Sequence, residues 1–182
     1  MMKSIYMFIA FCLMSQALTA QQVLIANNAR VSFFSTTVLE DIEGKSSTGA
    51  SVIDTQTGRI IFKVNNTSFQ FKKKLMQEHF NENYIESDKY PVTDFKGTIK
   101  DPLDFAKDGA KTVSVEGVLN IHGVAKTYKV PATINVNKGV VTADAVFKVK
   151  IADHGIEIPK IVFKNIAEYV EVRIHAIYQA KK

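Results

Sequence analysis

The stretch that decides the fold is TVSVEGVLNIH, residues 112 to 122. Apolar or small side chains occupy every second position in it, and polar side chains fill most of the positions between them. This period of two is typical of a β-strand with one face in a core and the other in water. The core face of this strand comprises Val113, Val115, Gly117, Leu119 and Ile121. We therefore expect a long strand of an antiparallel sheet, since such sheets commonly have one dry and one wet face.

The same alternation continues through the second half of the chain. Residues 126–136, 140–150 and 169–178 each place apolar side chains on one face. Glycine ends the connections His122-Gly123 and Asn137-Lys138-Gly139, where it supplies the positive φ of a tight hairpin. Weaker strand patterns come earlier, at residues 29–35, 39–45, 48–54, 59–64 and 92–100. The sequence therefore predicts eight or nine strands.

One segment departs from the alternation and predicts a helix. In FKKKLMQEHFNENY, residues 71–84, the apolar positions 71, 75, 76 and 80 have the spacing of an amphipathic helix. Three lysines at 72–74 are unfavourable at a helix N-terminus, because the helix dipole repels cations there. We therefore expect a helix over residues 75–84, with the lysines at a solvated strand end. Pro91 marks the end of the region that follows, since the residue before a proline avoids helical geometry.

The predicted fold class is all-β: an antiparallel barrel of about eight strands with one α-helix near one end. A sheet of this size buries its dry face either by packing as a sandwich or by closing into a barrel, and closure also removes the exposed edges. A barrel of about eight strands has room for side chains or for one small ligand. Small residues on the dry faces either leave room for a ligand or fit an ordinary core, and the pattern leaves both interpretations open. They are Gly97, Gly117, Ala132, Ala143, Ala145 and Ala176.

The first twenty residues have the features of a secretory signal peptide. Lys3 is followed by the apolar run IYMFIAFCLM at residues 5–14 and by small residues up to Ala20. The run is too short for a membrane-spanning helix, which needs about 20 apolar residues. We expect cleavage after Ala20, or after Ala17, leaving residues 21–182 as a single periplasmic or secreted domain. Cys12 is the only cysteine of the chain, so the mature domain has no disulfide.

Charge and motifs disfavour several other functions. The net charge is +5, but the basic residues are scattered and form no stripe with aromatic residues, so nucleic acid is a poor partner. No segment after Ala20 is long and apolar enough to span a membrane. His79, His122, His154 and His175 lack the spacing of metal ligands, and no nucleophile motif accompanies the Asp153-His154 pair. We therefore expect a protein that is not an enzyme and has no cofactor, no catalytic residues and no metal site. We expect His122 at a hairpin corner, His175 on the outer face and Asp153-His154 in surface hydrogen bonds.

Several strings resemble the YceI-like family. They are the helix-and-turn region LMQEHFNENY with ESDKYP and FKG (residues 75–84, 86–91 and 95–97), the hairpin GVLNIHGVAK (117–126) and the late element DHGIEIP (153–159). The resemblance covers most of residues 21–182, in the same order along the chain. It implies an extended, lipocalin-like barrel closed near one end by the helix, exported to the periplasm, with a long isoprenoid chain such as a polyprenyl or quinone tail inside.

The dry faces and the resemblance together predict a ligand site along the barrel axis. We expect its apolar chain to contact Phe33, Phe62, Met76, Phe80, Phe95, Leu119, Ala145, Phe147 and Val172. The predicted function is carriage or sequestration of this lipid, with a homodimer as a possible assembly. Two alternatives are an envelope or stress-response protein that binds a partner and has a filled barrel, and an enzyme acting on a lipid or quinone.

Overall fold

The structure is a computed structural model that describes residues 23–36, 41–157 and 167–180. The expected signal peptide and its cleavage sites, and the Ile158-Pro159 end of the late element, lie outside the described residues. Nine strands and one short α-helix make up most of the described chain. The strands are β1 (Val23–Thr36), β2 (Asp41–Asp54), β3 (Arg59–Asn65), β4 (Gln70–Phe71), β5 (Val92–Ile99), β6 (Gly109–Ile121), β7 (Val124–Asn137), β8 (Val140–Lys150) and β9 (Tyr169–Ala180).

Eight of these strands form a closed antiparallel barrel. Their order is β1-β9-β8-β7-β6-β5-β3-β2, and pairing of β1 with β2 closes the ring. β4 has only two residues and pairs with β2 alongside the ring. The strand pattern of residues 112–122 is confirmed, because Val113, Val115 and Leu119 are buried in β6. The predicted fold class, a lipocalin-like barrel with one helix, is therefore confirmed.

β2 differs from its predicted form. The sequence suggested two strands, at 39–45 and 48–54, but residues 41–54 form one strand, and residues 37–40 lie outside the described chain. The buried residues along β2 change parity between Ser46 and Gly49, where the register with β1 shifts. A bulge of this kind inserts a residue without ending the strand, so a single alternation pattern cannot continue through it.

The predicted helix is present. α1 (Lys74–His79) continues into a wider π-helical turn at Phe80–Tyr84. Lys74 is inside the helix rather than at a strand end, where the sequence had placed it. Leu75 is 60% exposed, contrary to the amphipathic pattern. Met76 and Phe80 are one turn apart and face the barrel, whereas Leu75 is rotated away from Met76 by about 100°.

The two ends of the barrel differ in the elements that they carry. We call the helix end the one that carries α1, the turn between β6 and β7 and the short 3-10 helix Ile151–His154. The far end is opposite and carries the turn between β7 and β8. Buried apolar side chains fill the far end: Leu24, Ile53, Ile134, Val136 and Val141 are each at most 3% exposed.

The barrel wall is incomplete between β7 and β8. Their pairing runs from Asn137↔Val140 only as far as Ala132↔Ala145. Residues 124–131 of β7 then pair with β6 alone, and residues 146–150 of β8 pair with β9 alone. Pro131 stands where the ladder stops, and a proline has no N–H to donate to a neighbouring strand. We call this opening towards the helix end the β7–β8 gap.

Candidate functional site

A cavity of about 320 Å³ lies inside the barrel, with α1 at one end of it and Tyr178 among its lining residues. Its lining comes mainly from the inner faces of the strands, and the helical segment contributes Met76, His79, Phe80 and Tyr84. All nine residues of the predicted ligand site line this cavity: Phe33, Phe62, Met76, Phe80, Phe95, Leu119, Ala145, Phe147 and Val172. The structure thus brings them together, and their contact with a ligand remains a prediction.

Four phenylalanine rings pack the helical segment against the barrel wall. Phe80 contacts Phe33, Phe69 and Phe71 with ring centroids 5.4, 5.5 and 5.1 Å apart. Phe33 also contacts Phe69 and Phe71, at 5.3 and 5.7 Å. Tilted and edge-on arrangements at these distances are favourable for aromatic rings. Phe69 and Phe71 line the cavity but were absent from the predicted site. Apolar spacing had placed Phe71 with the helical segment, whereas it lies in β4, and Phe69 precedes β4 in a stretch with no strand-like alternation.

The alanines and the glycines of the inner face have different roles. Ala132, Ala143, Ala145 and Ala176 line the cavity on three neighbouring strands, where their small side chains leave space open. Gly97 and Gly117 face each other on β5 and β6, and the ring of Phe95 covers both. A Cβ atom would fall 2.6 Å from Cε1 of Phe95 at Gly97, and 2.7 Å from Cζ of Phe95 at Gly117. These two glycines therefore allow the Phe95 ring to pack against the strands, and they leave no room for a ligand.

Polar groups in the lining are largely engaged by the protein itself. Asn66 is fully buried; its Nδ2 donates to the carbonyl oxygen of Tyr90 at 2.6 Å, and its Oδ1 accepts from the Thr93 hydroxyl at 2.9 Å. Asp94 Oδ1 accepts from Asn120 Nδ2 at 3.2 Å. Among the residues that the structure describes, the lining contains no lysine, arginine or glutamate, and its only histidine and acidic residue are His79 and Asp94. An interior of this kind favours an apolar ligand, since burying an unpaired charge is costly.

Tyr178 contributes a buried hydroxyl group to this lining. It is 1% exposed, and its hydroxyl lies 2.8 Å from Oγ of Ser51 on β2. The Ser51 hydroxyl donates to the carbonyl oxygen of Ile61 at 2.9 Å, so it accepts its other hydrogen bond from Tyr178. Burial raises the pKa of Tyr178 to about 12, because ionisation would place a charge in the apolar interior.

A polar cluster fixes the helical segment to the wall at the helix end. Glu86 Oε2 lies 2.8 Å from Nε2 of His122, and Lys89 also binds the Glu86 carboxylate. These hydrogen bonds, first from Lys89 and then from His122, lower the pKa of Glu86. His122 occupies the corner of the β6–β7 hairpin with φ of 52°, as expected. Glu86, with φ of 46°, has a left-handed conformation that is unusual for a residue other than glycine, and its side-chain contacts help to compensate for that strain.

His154 is located differently from its predicted position. The sequence suggested surface hydrogen bonds, but the side chain is fully buried. Its Nδ1 donates to the carbonyl oxygen of Val124 at 2.9 Å, and its Nε2 lies 3.0 Å from the Tyr128 hydroxyl. The rings of Tyr128 and His154 are stacked. Tyr128 in turn contacts Phe147 at 6.2 Å. Tyr128, Phe147 and His154 therefore connect the two sides of the β7–β8 gap, where backbone hydrogen bonds between the strands are missing. The alternation of apolar and polar residues could not predict the burial of His154, because a histidine after a strand is usually exposed.

The other two histidines lie at the surface. His175 is on the outer face, as expected, with Nδ1 2.6 Å from Oδ1 of Asp144. His79 is exposed on α1 and lines the cavity at its helix end. Among residues 23–36, 41–157 and 167–180, no three histidine, cysteine, aspartate or glutamate side chains are grouped to hold a metal ion. Within the same ranges, no helix has the length and apolar character needed to cross a membrane.

Comparison with known proteins identifies the family. The model of the YceI-like domain matches residues 23–178, which is most of the chain. The chain belongs to the YceI-like family. No match was found among curated protein sequences.

Solved structures of YceI-like and related proteins share this fold at low sequence identity. A polyisoprenoid-binding domain from Saccharophagus degradans aligns with a TM-score of 0.74 and 16% identity, over 88% of this chain and 99% of the other. BcnA from Burkholderia cenocepacia aligns with a TM-score of 0.70 and 21% identity, over 82% and 95%. A YceI protein from Campylobacter jejuni aligns with a TM-score of 0.61 and 18% identity, over 76% and 84%. These similarities support the barrel architecture.

Proposed function

We propose that this YceI-like protein binds one apolar lipid chain, of isoprenoid or quinone type, along the axis of its barrel. The observation that carries the proposal is the interior cavity, whose walls are mainly apolar and, among the described residues, contain no lysine, arginine or glutamate. The nine predicted site residues, from Phe33 on β1 to Val172 on β9, would contact the chain. The polyisoprenoid-binding domain of Saccharophagus degradans, which has the same fold, supports this choice of ligand class.

The hydrophobic effect is strong enough to hold such a ligand. Burial of about 400 Å² of lipid surface at roughly 25 cal/mol per Å² gives about 10 kcal/mol before the costs of association. Those costs amount to several kcal/mol or more. A net gain of roughly 4 to 7 kcal/mol corresponds to a dissociation constant between about 1 mM and about 10 μM. Because this driving force has no preferred direction, selectivity should depend on the size of the chain more than on its chemical detail.

We further propose that the protein works outside the cytoplasm, where it carries or sequesters the lipid. The support is the sequence of residues 1–20, with its basic, apolar and small-residue parts in order. N-terminal sequencing of the native protein should find Gln21 first, or Leu18 if cleavage follows Ala17. A native protein that retains Met1 would contradict export.

Binding without catalysis is part of the same proposal. The side chains of Asn66, Tyr178 and Asp94 already have hydrogen-bond partners within the protein, whereas an enzyme needs polar groups that converge on a substrate. A partner-binding protein with a filled barrel is the alternative from another class. The open cavity favours the lipid.

A bulky residue at position 145 tests the site directly. Ala145 lines the cavity, whereas the next residue, Val146, is 51% exposed on the outer face. Ala145→Phe should fill the cavity and reduce affinity for retinol, a fluorescent isoprenoid alcohol, by at least about tenfold, since lost burial of about two methylene groups has that effect. The matched control Val146→Phe should bind like the parent.

Retinol fluorescence titrations on folded parent and variant proteins provide the measurement. Circular dichroism and thermal unfolding establish that both variants retain the barrel. Equal affinity of the Ala145→Phe variant and the parent would show that the ligand does not occupy this cavity.

A further inference from the structure

The cavity occupies only part of the barrel, and its inner limit coincides with one side chain. Tyr178 is the lining residue of β9 nearest the C-terminal end of that strand, and it pairs with Val141 beside the far-end turn. The apolar side chains that fill the far end do not line the cavity: Leu24, Ile53, Ile134, Val136 and Val141. The boundary between open and filled interior therefore lies at the Tyr178 ring.

A hydrogen bond and close burial hold the Tyr178 ring in this position. Its hydroxyl reaches past β1 to bind Ser51 on β2, at 2.8 Å. The strand that it passes contributes Ala26 and Ala29 to the core, both at most 1% exposed. Because these side chains are small, they leave space for the Tyr178 side chain to extend along the inner face of β1 as far as β2. A buried tyrosine whose hydroxyl is hydrogen-bonded is a rigid element, because leaving the site would break that bond and expose the ring.

We propose that Tyr178 is the floor of the ligand cavity and limits the length of the apolar chain that the barrel encloses. The enclosed chain is then a few isoprene units long, and any part of a longer polyprenyl chain lies outside the barrel. The cavity volume of about 320 Å³ supports a short chain, since pockets for drug-sized ligands cover about 300–1,000 Å³. This inference rests on the proposed function and adds a residue that determines chain-length specificity.

Two substitutions should move the floor in opposite directions. Tyr178→Leu removes the ring and opens the space in front of the far-end core. Ala176→Leu adds a side chain one inward-facing position closer to the helix end, where Ala176 is 1% exposed and lines the cavity. Leu24→Ala is the matched control, because it also creates space in the far-end core but leaves Tyr178 in place.

A series of prenols with two to six isoprene units, competing with retinol for each protein, measures the length limit. In the parent, each added unit should tighten binding by roughly tenfold or more while it is buried, and by less than about threefold once the chain reaches the floor. The length at which the gain stops should be about one unit longer for Tyr178→Leu and about one unit shorter for Ala176→Leu. Leu24→Ala should stop at the parent's length.

The results separate this inference from the proposed function. A parent protein that binds neither retinol nor any prenol would overturn lipid binding itself. If the parent binds prenols but both variants stop at its length, or if affinity rises through all six units without a limit, Tyr178 is not the floor. Should Tyr178→Leu fail to fold, the result for Ala176→Leu decides alone.

Discussion

Tyr178 combines a structural role with a measurable dependence on pH. The tyrosine is 1% exposed, and its hydroxyl donates to Ser51, so the folded protein holds it in the neutral form. Burial raises its pKa from an ordinary value of 10.0 to about 12. A group with a raised pKa in the folded state contributes stability that is complete below the unfolded pKa and is lost as pH rises through the folded pKa.

We therefore predict that Tyr178→Phe changes the alkaline stability of the protein. At neutral pH the variant should be less stable by about 1 kcal/mol, the usual net contribution of one hydrogen bond. As pH rises from about 10 to 12, the unfolded parent ionises Tyr178 while the folded parent resists, so the parent's advantage should shrink or reverse. Urea denaturation at neutral pH and near pH 11 measures the difference. An advantage that stays constant across this range would show that the Tyr178 hydroxyl is not buried.

At the scale of single residues, the sequence predicted which side chains face the interior but not what each one does there. Seven of the nine proposed contacts lie on strands, and they line the cavity because a period of two assigns faces reliably in long strands such as β6. The other two, Met76 and Phe80, follow the helical spacing of residues 71–84. The same period cannot distinguish Ala145, which leaves space, from Gly117, which the Phe95 ring covers. It also placed His154 at the surface, whereas the β7–β8 gap provides it with a buried pocket and two hydrogen bonds.

At the scale of elements, the β7–β8 gap is the part of the barrel where side chains replace the backbone ladder. Tyr128, Phe147 and His154 close it. Backbone amides that point into the gap have no partner strand, so their protection depends on these side chains alone. One signal of the gap is visible in the sequence: Pro131 lies within a long strand, and proline is rare in the middle of a sheet.

We predict that amide hydrogen exchange is faster along the gap than along the paired part of the same strands. Alternate amides of residues 124–131 and 146–150 should exchange about ten times faster or more than those of residues 132–137, because exchange follows the free energy of local opening. Hydrogen exchange followed by mass spectrometry or NMR measures the two groups in one experiment. Equal protection throughout β7 would contradict the gap.

Some features of the helical segment could be predicted from the sequence and others could not. Its position and approximate length followed from the spacing of apolar residues, since Met76 and Phe80 are one turn apart. The π-helical turn and the contact between Glu86 and His122 could not be predicted, because they depend on a hairpin that lies far away in the sequence. The bulge in β2 was hidden for a similar reason, since its position is determined by pairing with β1.

At the scale of the whole molecule, closure of the barrel produces the cavity. Eight strands leave an interior just wide enough for side chains or one small ligand. Buried side chains at the far end take up one part of that interior, and alanines on β7, β8 and β9 keep the other part open. The four phenylalanine rings around Phe80 join the helical segment to the wall beside this open part. The fold thus provides an apolar compartment inside the barrel.

The central claim is that this compartment holds an apolar lipid, and the most direct test is to identify what the native protein contains. The protein would be purified without detergent from the cells that make it, extracted under denaturing conditions and analysed by mass spectrometry. We predict close to one molar equivalent of an isoprenoid or quinone-type molecule in the parent and in Val146→Phe, and strong depletion in Ala145→Phe. Parent protein that is folded but carries no apolar molecule, and that takes none up from added prenols, would contradict the account.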